Sequence, residues 1–132
     1  MPFDATPVDS EVVTVLRKAR ALIDSPEKIV CGNFDELVGH CTYAAIAAAA
    51  DAPITYDAQW RLRSHNHGPT LDVCAVFMGA NGIRVPARDA MPLTLAKWHD
   101  TQAWAVKKDM ARLCPILMEA FDKAIILAGG TP

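Results

Sequence analysis

The chain has 132 residues, a mass of 14.3 kDa and 52% hydrophobic residues, enough for one buried core and too short for two ordinary domains, so one domain is expected. No apolar run approaches the roughly 18 residues of a membrane span, and the opening MPFDATPVDS is acidic where a secretory leader is basic and then apolar; the expectation is a cytoplasmic protein. The net charge is only −2, yet residues 1–60 carry four Lys/Arg against nine Asp/Glu, and residues 61–112 carry eight against four.

In chain order, Asp9 or Ser10 is placed to cap a helix whose Val12, Leu16, Ala19 and Ile23 recur at helical spacing and which Ser25-Pro26 ends. A second helix is predicted from near Gly39 through CTYAAIAAAA to Asp51, because alanine has the highest helix propensity and Pro53 closes the run. Thr55 is placed to cap a short third helix through Trp60 and Leu62, and a fourth follows Pro69-Thr70 and stops at Asn81-Gly82. IRVPARDAMP reads as a loop or short edge strand, and LTLAKWHD as a turn or two of helix. Asp109 caps the last helix, in which Leu113, Leu117, Ala120, Phe121 and Ala124 mark a buried stripe widened by Ile116, Ile125 and Ile126. Pro115 inside it predicts either a kink or a true start near Cys114. The expected fold is therefore all-α, a compact domain of about five helices with a long C-terminal helix crossing the core. The alanine-rich helix, with Ala44, Ala45 and Ala47 to Ala50, has no bulky face and should be the central packed element. Residues 1–8 and 129–132 are expected to be flexible ends.

VLRKARALI, Cys31 after a short acidic loop, HCTYAAIAAAA, and KWHD followed by MARLCPILMEAFDKAI resemble, in that order, a family of small bacterial and phage proteins known only as a domain of unknown function. That family shows Trp-Cys, then Cys-Ala-x-Gly-Ala at a helix start, then Trp-Asn-Asp before a final helix. Here Val30 stands for the tryptophan, Thr42 and Ala44 for the alanine and glycine, and His99 for the asparagine. The resemblance implies a compact helical fold and directs attention to Cys31, Cys41, Trp98 and Asp100, without implying a reaction.

Three chemistries can be weighed. Cys41 at the start of a helix would have its pKa lowered by the macrodipole, with His99 as its base; adjacent residues point apart on a helix, however, so Asp100 is badly placed to orient His99. Zinc could take Cys31, His40 and Cys41 with a fourth ligand such as Cys74, or a pair from His65-x-His67, but none of these has C-x-x-C or H-x-x-x-H spacing, and four small apolar cysteines suit a core equally well. No cofactor motif is present, and the letters His65-Asn66-His67 lack the hairpin-and-helix spread of the nuclease motif they spell.

The third chemistry is surface recognition. Trp60, Arg61, Arg63, His65 and His67 form a basic, aromatic stretch able to bind an acidic protein surface, and a plain helix end followed by a polar loop would read the same way. The favoured function is a non-catalytic protein-binding module, an adaptor or inhibitor. The alternatives are a cysteine enzyme using Cys41 with His99, and nucleic-acid binding through the basic 61–112 region.

Overall fold

The computed structural model describes residues 10–31, 39–52 and 67–132. Among them are five α-helices, α1 (Glu11–Leu22), α2 (Thr42–Ala49), α3 (Gly68–Ala80), α4 (Met91–Ala105) and α5 (Met110–Leu127), with single turns of 3-10 helix at Pro26–Lys28 and Arg88–Ala90. The fold is all-α, as composition and periodicity require. No described helix is long and apolar enough to cross a membrane. The short helix expected from Thr55 to Leu62 lies outside the described residues.

Local chemistry sets most of the boundaries. Ser10 caps α1, its hydroxyl accepting from the Val13 amide at 3.2 Å, and Asp109 caps α5 by accepting from Ala111 at 3.0 Å. α3 ends at Asn81-Gly82 as expected: Gly82 has φ of 67°, a left-handed conformation that costs glycine nothing, and Ile83 N–H returns to Met78 O at 2.9 Å. The Asn81 amide also donates to Ala120 O at 3.0 Å and so ties the end of α3 to α5.

Three expectations are corrected. α5 begins at Met110, not near Cys114, and passes through Pro115, which is exposed; the Ala111 carbonyl that loses its amide partner is on an exposed residue, where water can serve it. α2 begins at Thr42 rather than Gly39, because residues 28–30 and 40 form a parallel bridge instead: His40 N–H donates to Lys28 O at 2.9 Å and Val30 N–H to His40 O at 3.1 Å. Gly39 is required there, since a Cβ would lie 2.5 Å from the Lys28 carbonyl oxygen. LTLAKWHD, read as a turn or two, belongs to the fifteen-residue α4, whose Met91, Leu95, His99 and Ala103 are buried at four-residue spacing.

The core joins all five helices. α2 packs on α1, α3 and α4, and α5 packs on α1, α3 and α4. Tyr43, Ala44, Ala45, Ile46 and Ala47 are buried in succession, so α2 is covered on nearly every side and its small residues let the neighbouring backbones approach. Phe77 of α3 packs against Phe121 of α5 with the rings tilted by 58° at 4.9 Å and meets Trp98 of α4 edge-on at 5.3 Å. Of the stripe expected on α5, Ile126 alone is well exposed, at 60%. Arg20 pairs with Asp122 at 2.9 Å across α1 and α5. Beyond α5, Gly130 N–H returns to Ile125 O at 2.9 Å and a Cβ on Gly130 would lie 2.7 Å from Val13, so this end of the chain is seated on α1.

Ala45→Leu should cost about 1–3 kcal/mol by overpacking, measured by urea unfolding, while Ala48→Leu, at the half-buried edge of α2, should cost less. Equal stability of Ala45→Leu and the parent would contradict the central position of α2.

Candidate functional site: a buried histidine at the start of α2

The chemistry-bearing side chains that the fold brings together meet where α4 crosses the start of α2. His99 is fully buried on α4 and has polar partners on two other segments. Its Nδ1 lies 3.2 Å from the Thr42 backbone nitrogen and 2.8 Å from Thr42 Oγ1; its Nε2 lies 2.8 Å from Val30 O and 3.7 Å from Cys31 Sγ.

These partners fix the tautomer. A backbone amide can only donate, so Nδ1 must carry the lone pair; a carbonyl can only accept, so Nε2 must carry the proton. His99 is then neutral, and burial holds its pKa below the ordinary histidine value, opposed by the Val30 carbonyl and by the charge of Asp100. Thr42 is the first residue of α2, whose amide has no partner within the helix, and the imidazole supplies one. Cys41, the N-cap, serves the Ala44 amide through its sulfur at 3.4 Å.

Of the alternative catalytic pair Cys41 and His99, His99 is in this cluster, but the thiol against its ring is Cys31. Cys41 is 2% exposed, and burial pushes its pKa up to about 12, against the lowering expected from the helix dipole. The helix amides do favour the thiolate, but desolvation outweighs them. Cys74 is likewise pushed up to about 12 by burial, and the Cys31 and Cys114 thiols are also raised, burial being the main cause. With Nε2 protonated toward Val30 O, His99 has no lone pair with which to take a proton from Cys31.

The same geometry bears on metal. Among the described residues, the ligand atoms of Cys31, His99 and Asp100 lie within 4.8 Å of one another, a different set from the Cys31, His40 and Cys41 alternative weighed in the sequence. A cation on Nε2 would have to displace the proton held by Val30 O, and moving that proton to Nδ1 would leave the Thr42 amide without its acceptor. The donor set suits a structural join better than a coordination site.

Trp60, Arg61, Arg63 and His65 of the expected binding stretch lie outside the described residues. His67 is the N-cap residue of α3, with Nδ1 2.8 Å from the Thr70 hydroxyl. Trp98 packs against the core. Asp100 sits mid-helix in α4, whose hydrogen bonding continues through it.

One surface feature was not anticipated. Trp104, one turn beyond Asp100 on α4, is 68% exposed, and Lys108 Nζ lies over its ring, 4.7 Å from the centroid. Lys107 and Lys108 both adopt left-handed backbone conformations, with φ of 55° and 58°, in the turn that closes α4. Comparison with family models, with curated proteins and with solved structures finds no match.

In the native protein at pH 7.5, iodoacetamide should label Cys41 and Cys74 far more slowly than a free model thiol, with Cys31, the least buried of the four, labelled first. Rapid labelling of Cys41, read by mass spectrometry, would contradict the burial argument.

Proposed function

We propose that the chain is a non-catalytic protein-binding module, an adaptor or inhibitor, which presents the end of α4 to an acidic partner surface. The observation that supports this reading is Trp104 together with the turn that follows it. Left-handed backbone costs a non-glycine residue of order 1 kcal/mol or more, and here two consecutive lysines adopt it where glycine or asparagine would be less strained. That turn places an ammonium group on a solvent-exposed indole. Tryptophan is among the residues that most often anchor protein interfaces, and exposed Lys97, Lys107, Lys108 and Arg112 outnumber Asp100 and Asp109 over the same stretch. Complementary charge on the partner would speed and orient its approach. The stretch Trp60, Arg61, Arg63, His65 and His67 is part of the same proposal as a second contact, carried by composition.

The cysteine-enzyme alternative draws no support from the raised thiol pKa values or from the tautomer of His99. Nucleic-acid binding would use the same basic side chains, and a nuclease-sensitive complex that weakens steeply with salt would favour it over a protein partner.

The test is capture from native host extract by the parent and by Trp104→Ala/Lys108→Glu, followed by calorimetric titration of the protein that the parent retains. Both side chains are exposed, so circular dichroism should show an unchanged fold, while affinity should fall by about 2 kcal/mol or more. A partner that binds parent and variant equally would overturn the assignment of this surface.

A further inference from the structure

We propose that His99 is a proton-operated latch: uptake of a second proton at Nδ1 releases the start of α2, and the 28–30/40 bridge beside it, from α4 while the rest of the helical core stands. The neutral ring receives the Thr42 amide and hydroxyl on one nitrogen and holds Val30 O with the other. An imidazolium has no acceptor. Its new N–H would oppose the Thr42 N–H at 3.2 Å, and although the hydroxyl can rotate to accept, the amide cannot. The ring's positive charge would also sit at the positive end of the α2 dipole.

The direction with pH follows from burial. Because the folded pKa lies below the ordinary value of about 6.5, the unfolded or locally opened chain takes the proton first as pH falls. Stabilisation by the latch is therefore complete above that value and is lost as pH falls from it toward the folded pKa. The charged and titratable groups around the ring act with different signs. Asp100 on α4 favours the proton, whereas Cys31 on the adjoining segment and Cys41 at the cap stay neutral thiols at these pH values. Lys108 acts on Cys31, favouring its thiolate. His40, across the bridge from Ile29, and His67, at the cap of α3, are the other described histidines and need separate controls.

What makes the opening local is the distribution of other bonds. α1, α3 and α5 are joined by the Arg20–Asp122 pair, by Asn81 to Ala120 O and by the Phe77–Phe121 contact, none of which involves His99. The bridge, by contrast, has two backbone hydrogen bonds, and α2 has eight residues.

The experiment is amide hydrogen exchange on the full chain at pH 7.5 and 5.5, corrected for intrinsic rates, alongside an NMR titration of the His99 ring. Protection at Val30, His40, Thr42 and Ala44 should fall severalfold at the lower pH, toward the limit of about tenfold that an open-state pKa of about 6.5 allows, with Leu117 to Ile125 of α5 unchanged and the loss setting in below about pH 6.5 and levelling off at the pKa of the folded ring. His99→Asn, whose side-chain oxygen can still accept from Thr42, should abolish the pH dependence, and His40→Gln and His67→Gln should leave it in place. Unchanged protection at Thr42, uniform loss across all helices, or loss that sets in only below the pKa of the folded ring would each overturn the latch. The ring titration and exchange of the parent decide the matter if His99→Asn does not fold.

Discussion

A single imidazole joins three parts of this molecule that nothing else described links as directly: the residue 30–31 segment, the first turn of α2 and the middle of α4. Eight residues are too few for a helix to stand alone in water, so α2 depends on its burial and on having its first amides satisfied. Burial comes from the alanine faces, which let α1, α3 and α4 approach. The amides are served by two unusual acceptors, the His99 ring and the Cys41 sulfur. In a low-dielectric interior an unsatisfied amide costs about 1–3 kcal/mol, so the ring nitrogen contributes on the scale of a sizeable part of a small domain's net stability.

That dependence also accounts for what the site does not do. A buried histidine beside a cysteine and an aspartate has the residue types of a catalytic or metal centre, but the partners decide the proton positions, and here both nitrogens are committed to backbone groups. The contest at Cys41 runs the same way. The helix start favours a thiolate, removal from water disfavours it, and the second effect is larger. The exposed, charged surface lies instead at the C-terminal end of α4, where Trp104 and the two strained lysines face solvent.

Much of the fold was legible because its signals are local. Ser10, Asp109 and Asn81-Gly82 mark helix ends through bonds made within a few residues, and the α5 stripe lies on a regular period. The full length of α4 is not legible for a physical reason: its buried face runs Leu95, His99, Ala103, and counting histidine as polar breaks the period in the middle. The alanine run predicts a longer α2 than the structure has because the bridge from residues 28–30 to His40, which takes up the preceding residues, is not a local interaction. The site was the least legible part. His99 was picked out, but as a partner for Cys41, and its contacts with Val30, Cys31 and Thr42 span 57 to 69 residues, a separation over which neither spacing nor propensity carries information. Trp104 gave no signal as a surface residue, since a tryptophan on a helix reads as core until its face is known.

The central claim is that His99 is neutral, with its proton on Nε2 and its lone pair on the Thr42 amide. Two-bond proton–nitrogen correlation of the imidazole by NMR at pH 7.5 reads this directly. The account predicts a protonated Nε2, a bare Nδ1 and a Thr42 amide shifted by hydrogen bonding to it; a proton on Nδ1, or on both nitrogens, would contradict it.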